Sequence, residues 1–210
     1  MKIGIIGTGN VGTGLAKRLV PKGHNLMLSY SRDAAKMTAA AKDLGAKTGS
    51  VAEAVAFGEV VILATPYTAN EDALKRAGNP ASGKIIWDCT NPLKPDFSGL
   101  LIGTTTSAGE ETAALAPWAR VVKAIPPFAE RLHADLLEIA GDKPGVFLCG
   151  DDPDARSVIA RLVSDIGAEP VDTGGGIALS RYIEPANMLL VALAYGNGFG
   201  THIALALKRG

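Results

Sequence analysis

An excess of charge of either sign is missing from this chain: Lys plus Arg and Asp plus Glu each number 21. Without a basic surplus there is no electrostatic footprint for a polyanion, so nucleic-acid binding is not expected. Cysteine is nearly absent. Cys89 and Cys149 both sit in apolar, strand-like runs, where small buried thiols are expected rather than a disulfide. Histidine is as scarce, and His24, His133 and His202 contain no pair at metal-ligand spacing, so no metal site is expected. Neither Ser107 nor Cys89 has a neighbouring histidine that would mark a nucleophile. Repeats and low-complexity segments are missing too. The first strand begins at residue 2, with no leader ahead of it, which points to the cytoplasm.

What is present is concentrated at the start. Lys2-Ile3-Gly4-Ile5-Ile6-Gly7-Thr8-Gly9-Asn10-Val11-Gly12 joins a short apolar run to three spaced glycines, inside which a helix pattern opens and continues from Thr13 to Lys22. Gly7 permits a tight turn, Gly9 lets backbone approach a pyrophosphate, and Gly12 lets the helix pack on the strand. The helix N-terminus adds free N–H donors and a partial positive charge. A strand before, a helix after and a second strand at the right distance turn a weak motif into a dinucleotide fingerprint. The second strand ends in Ser29-Tyr30-Ser31-Arg32, with Lys36 a turn later. A hydroxyl, a guanidinium and an ammonium there suit a 2′-phosphate, so NADP is expected. Asp33 reads as an acidic residue opening the next helix.

Strand and helix signals then alternate. Helices are expected over Asp33–Leu44, with Gly45 as stop, and through Phe57 from a capping box at Ser50 and Glu53. Further helices are expected at Ala69–Ala77, Ser107–Ala116 and Asp154–Ile166. Strands are expected near 59–64, 84–89, 120–124, 145–149 and 169–172, a short strand or extended link over 46–49, and Leu93–Thr106 reads as loop. The order predicts an α/β fold: a doubly wound, mainly parallel Rossmann sheet of about eight strands with a small C-terminal helical part. Residues 1–124 are expected to form the dinucleotide-binding core and 125–210 a smaller part carrying the acceptor pocket and a dimer contact. Ligands in such sheets sit beyond the carboxyl ends of the strands. That directs attention to Gly7–Gly12, Ser31–Lys36, Ala64-Thr65-Pro66-Tyr67, Thr90-Asn91-Pro92-Leu93 and Ala124–Phe128.

These residues carry a resemblance. The glycine stretch, Ser31-Arg32 with Lys36, Asp88-Cys-Thr-Asn-Pro-Leu93, Val121-Val-Lys-Ala124, Cys149-Gly-Asp-Asp152 and Ser180-Arg181 with Glu184 resemble the F420-dependent NADP oxidoreductases. They are also similar to the cytosolic reductase domain of membrane ferric reductases. The resemblance implies hydride transfer between NADP and a deazaflavin held under the C-terminal part, with Thr8, Ser31, Arg32 and Lys36 as NADP ligands. Gly7, Gly9, Asn10, Val11, Gly12, Ala64, Thr65, Pro66, Asn91, Ala124 and Ile125 complete the expected cofactor set. Where relatives carry a histidine or Phe-Asn, this chain has Ile125-Pro126-Pro127-Phe128. Arg181 matches the family, whereas Pro185 and Asn187 replace a serine and a threonine. Pro126, Arg181, Pro185 and Asn187 are therefore the expected acceptor contacts.

Hydride transfer between two rings needs stacking and exclusion of water rather than a catalytic side chain, so none is assigned. The second substrate is expected to be F420, a flavin, or a small carbonyl or imine compound. The alternative is a non-catalytic NADP(H)-binding redox sensor or accessory subunit. The run from Ala186 to Leu207 is apolar nearly all round and long enough to reach across a bilayer. Its glycines, Asn197 and His202 make it a poor span and a better close-packed helix, with a second copy of the chain as its expected cover. A homodimer with no membrane partner follows.

Overall fold

The computed structural model describes residues 1–78 and 80–208. Eight strands form one sheet: β1 (Lys2–Ile6), β2 (Asn25–Ser29), β3 (Lys47–Thr48), β4 (Val60–Leu63), β5 (Lys84–Asp88), β6 (Ala119–Ala124), β7 (Gly145–Cys149) and β8 (Glu169–Asp172). Their spatial order is β3-β2-β1-β4-β5-β6-β7-β8, and every pairing is parallel except β6 with β7. Chain order reverses between β1 and β4, which opens a crevice beyond their carboxyl ends.

The alternation of the strand residues builds two cores. Ile3, Ile5, Val60, Ile62, Ile85 and Trp87 point to one face, Ile6, Val61, Leu63 and Ile86 to the other. The first face is covered by α1 (Asn10–Leu19), α2 (Ala34–Leu44) and α7 (Pro153–Asp165), through Leu15, Leu19, Ala41, Ile159 and Leu162. The second is covered by α3 (Val51–Phe57), α4 (Asn70–Lys75) and α5 (Ala108–Leu115), through Val55, Leu74 and Ala116 at its edge. Each fully buried Leu or Ile contributes roughly 1.5–3 kcal/mol relative to exposure. Two-sided cover is why these strands read as continuous apolar runs.

Local signals set most helix starts. Asp33 caps α2 by accepting from the Lys36 amide, Ser107 caps α5, Asp152 caps α7, and Ser50 with Glu53 forms a reciprocal capping box on α3. Other boundaries differ from expectation. The first helix opens inside the glycine motif, at Asn10, but gives way to a 3-10 turn over Val20–Lys22 where one run to Lys22 was expected. A 3-10 turn (Tyr67–Ala69) precedes a short α4 where one helix from Ala69 to Ala77 was expected. A further helix, α6 (Ala129–His133), carries His133 in what reads from sequence as loop.

The C-terminal region requires the largest correction. Helix α8 (Ser180–Val191) passes into a π-helical turn (Ala192–Gly196) and stops there, eleven residues before Leu207. Gly198 and Gly200 adopt φ values of 72° and 70°, the left-handed region that glycine enters without a side-chain penalty. The chain then returns irregularly over Thr201 to Lys208, and the Leu205 carbonyl accepts the Gly145 amide at 2.7 Å. The continuous helical stretch Ile177–Gly196 is 20 residues long with mean hydropathy 1.2.

Candidate active site

The first backbone feature at the crevice is Gly7. Its φ is 102°, and a Cβ there would lie 2.6 Å from the Ala64 carbonyl carbon, so β1 and β4 approach through this glycine. A Cβ on Gly12 would lie 1.9 Å from the Gly7 carbonyl oxygen, which makes Gly12 the packing glycine. Gly9 is the opposite case: a Cβ there meets nothing within 4 Å. It stands as the uncapped N-cap of α1, facing open space. The neighbouring Thr8 hydroxyl oxygen is buried with no hydrogen-bond partner. Open space above Gly9, uncapped amides and an orphan hydroxyl form a cradle that suits a phosphate.

The cradle opens into a cleft of about 650 Å³. Of the residues expected at the site, Gly9, Asn10, Val11, Arg32, Ala64, Thr65, Pro66, Asn91, Ile125, Pro126 and Asn187 line it. Gly7 and Gly12 shape it from below. Ala124 is fully buried, and its carbonyl accepts the Trp87 indole N–H at 2.7 Å. Ser31 is off the cleft wall because its hydroxyl closes a turn, donating to the Asp33 carbonyl and accepting from the Asp33 amide. Lys36 is exposed beyond the lining. Tyr30, with φ 57°, turns the chain ahead of them. Its hydroxyl donates to Asp72 at 2.8 Å, and Arg76 lies over its ring.

Two expected acceptor contacts fall elsewhere. Arg181 donates to both carboxylate oxygens of Glu110, at 2.8 and 2.5 Å, so its guanidinium joins α8 to α5 rather than entering the cleft. The pairing holds Glu110 below the usual carboxylate range. Pro185 lies inside α8 and off the cleft lining.

A buried polar chain beneath the cleft escaped the sequence reading, although its residues carry part of the family resemblance. Thr65 donates to Asn70 at 2.6 Å, Asn70 to the Thr90 hydroxyl at 3.1 Å, and Thr90 to Asp88 at 2.7 Å. Lys123, wholly buried, lies 2.9 Å from Asp88 and 3.0 Å from Glu184, and donates to the Thr90 carbonyl at 2.7 Å. Burial disfavours its ammonium, but the two carboxylates outweigh that and hold its pKa above the ordinary lysine value. Glu184 also accepts the Ala108 and Gly109 amides at the start of α5, both at 3.0 Å. The Ser107 and Ser180 hydroxyls meet at 2.6 Å. α8 is thereby pinned over the ends of β5 and β6. A lysine inside the apolar run Val121–Ala124 was the available signal, since a buried charge demands partners.

The end of the cleft where an acceptor was expected is walled by Phe97, Pro126, Pro127, Phe128, Leu190 and Tyr195. Phe97 stacks on Tyr195 with centroids 5.7 Å apart, and Phe128 meets Tyr195 edge-on at 6.1 Å. Cys89 and Cys149 are free and buried, their thiols pushed up by burial, Cys149 to about 12. His24 pairs with Asp165 at 3.0 Å, and the His133 ring sits 2.9 Å from the Asn10 carbonyl oxygen. Among the described residues, no cluster of three His, Cys, Asp or Glu could hold a metal.

Known proteins echo this arrangement. The family described as NADP oxidoreductase coenzyme F420-dependent matches residues 2–92. The F420-dependent NADP reductase of Methanocaldococcus jannaschii is 30% identical over 92% of each chain. The rat metalloreductase STEAP3 is 30% identical over 90% of this chain, which spans 37% of that longer protein. A crystal structure from Arthrobacter sp. FB24, assigned provisionally as an F420-dependent NADP reductase, superposes over all of both chains with TM-score 0.87 and 28% identity.

Proposed function

The chain belongs to the coenzyme F420-dependent NADP oxidoreductase family, and from that premise we propose that its cleft binds NADP and a small planar hydride acceptor side by side. NADP-dependent oxidoreduction is the family's chemistry; the acceptor is the open choice. The observation that carries the reading is the cradle: open space over Gly9, the uncapped start of α1 and the unpartnered Thr8 hydroxyl. Thr8, Gly9, Asn10 and Val11 would hold the pyrophosphate, and Gly7 and Gly12 would give it room. Arg32 would take the 2′-phosphate, with Ser31 and Lys36 in support. Ala64, Thr65, Pro66, Asn91, Ala124 and Ile125 would flank the nicotinamide ribose and ring. When bound, the dihydronicotinamide supplies a hydride; the protein orients the two rings and keeps water out.

Residues 1–124 would form the NADP part, and 125–210 the acceptor part. Pro126 and Pro127 have no N–H to offer, Arg181 is engaged by Glu110, and Asn187 donates to the Ile183 carbonyl at 3.1 Å. Pro185 would act only by shaping α8. A polar ring tail bound against these groups would lose hydrogen bonds to water without replacing them, so slow turnover of F420 is expected. A small carbonyl or imine compound fits better, and a flavin is the alternative ring acceptor. Stopped-flow oxidation of NADPH against F420, FMN and simple carbonyls or imines tests this. F420 rates matching the best of the others would end it.

Exposed Tyr182, Leu189 and Phe199 (73%, 57% and 64% accessible) support a homodimer built on α8 and the following turn. A cytoplasmic enzyme free of membrane and nucleic acid is the matching setting. Sedimentation at micromolar protein would show a monomer if that assembly is wrong.

A further inference from the structure

The acceptor end of the cleft combines two features. Three aromatic rings meet there, Phe97 and Tyr195 stacked and Phe128 edge-on to Tyr195. Phe97 and Tyr195 remain about half accessible, 51% and 54%, so ring surface is left for a ligand. The separation of 5.7 Å leaves no space for a third ring between these two, so a ligand must lie against the group from the cleft side. Glu130, in the first turn of α6, lines the same end and is exposed. The Tyr195 hydroxyl feels that carboxylate: burial first, then Glu130, raises its pKa above the ordinary phenol value. Aromatic faces carry negative potential and attract cations, most strongly where water is partly excluded. A carboxylate beside them adds attraction of the same sign. Arg32, a cation that does line the cleft, lies beyond β2 at its other end.

We propose that the acceptor end selects a planar organic cation, an iminium ion in which the C=N carbon takes the hydride, with Glu130 as the specificity-determining charge. The proposal rests on NADPH serving as hydride donor in this cleft. The step balances without a proton. Hydride leaves C4 of the dihydronicotinamide and forms a C–H bond at the iminium carbon. The C=N π electrons become the nitrogen lone pair, NADPH becomes NADP⁺, and the acceptor becomes a neutral amine. A neutral carbonyl would need a proton as well, and the thiol and phenol on the lining, Cys89 and Tyr195, are both weakened as acids by burial.

The test separates charge from reactivity by using ligands that cannot be reduced. NMR titrations of the NADP⁺-saturated protein compare benzyltrimethylammonium with benzyl tert-butyl ether, a neutral compound of similar shape. The cation should bind at least about tenfold more tightly, with the preference shrinking as salt rises from about 20 to about 500 mM. Glu130→Gln should lower that preference about two- to fivefold while NADPH affinity, read by fluorescence, stays within about twofold. Equal binding of the two probes, or an unchanged preference in the variant, overturns the proposal. A second arm measures NADPH oxidation by N-methyl-3,4-dihydroisoquinolinium against FMN and 1-tetralone. If NADPH binds but the iminium ion is no better than both, the choice of cation fails alone. If NADPH does not bind, the cofactor reading fails and this proposal falls with it.

Discussion

The two ends of the cleft are built by different means. At the glycine end the working groups are mainly backbone: the Gly9 cradle, the uncapped start of α1, and the close approaches at Gly7 and Gly12. All lie within a dozen consecutive residues, and one βαβ unit holds them. The acceptor end draws side chains from four separate segments. Phe97 comes from the loop after β5, Phe128 and Glu130 from the start of α6, Asn187 from α8 and Tyr195 from the π-helical turn. What joins them is the buried ion cluster of Asp88, Lys123 and Glu184. A phosphate can be held by repeating peptide groups, so that end tolerates little change in geometry. An acceptor is recognised by side chains, so that end can change its chemistry while the sheet beneath stays the same.

The sharpest way to break this comparison is to cut the cluster that holds α8 over β5 and β6. Lys123→Met leaves two buried carboxylates facing each other and should cost about 3–5 kcal/mol of stability. Urea unfolding measures it, and a loss under about 1 kcal/mol would mean that α8 is held by other contacts. Next come the two glycines. Gly12→Ala forces a Cβ into the Gly7 carbonyl and should destabilise by about 1–3 kcal/mol. Gly9→Val has free space in the protein, so its melting temperature should change little while NADPH binding is lost. Normal NADPH affinity in a folded Gly9→Val variant would move the phosphate elsewhere.

A smaller effect tests the far edge of the glycine end. Arg32→Ala should weaken NADPH by more than about 1.5 kcal/mol, the scale of a charge-assisted hydrogen bond, and leave NADH nearly untouched. Equal losses for the two cofactors would remove the 2′-phosphate from Arg32. The smallest effect concerns Arg181. Its guanidinium depresses the Glu110 pKa in the folded state. That contribution is present above the ordinary glutamate value of about 4.3 and is lost as pH falls through the depressed value. Arg181→Ala should therefore lower stability slightly at neutral pH and flatten the loss of stability in acid. Thermal melts across that range decide it; an unchanged acid limb would sever Arg181 from Glu110.

Read from the sequence, the glycine end was largely legible, because each signal there acts over a few residues. Gly7, Gly9 and Gly12 stand out by their spacing, and the caps at Ser50, Ser107 and Asp152 act on amides three positions away. The apolar runs of β1, β4 and β5 carry the parallel sheet for the same reason. The local bond between the Ser31 hydroxyl and the backbone of Asp33 is a detail that the residue types alone do not announce.

The chain itself determined the strands, their mainly parallel winding and the open glycine turn before α1, since periodicity and glycine geometry are local properties. Only the tertiary structure decided the rest. Arg181 and Glu110 are 71 positions apart, and Lys123 lies 35 from Asp88 and 61 from Glu184, so no pattern along the chain announces those pairs. The apolar run after Ala186 reads as one helix by composition, yet it ends at Gly196. There the left-handed turns at Gly198 and Gly200 send the chain back to meet Gly145. Which partner a buried charge finds, and where an apolar helix must turn, depends on packing between segments distant in sequence.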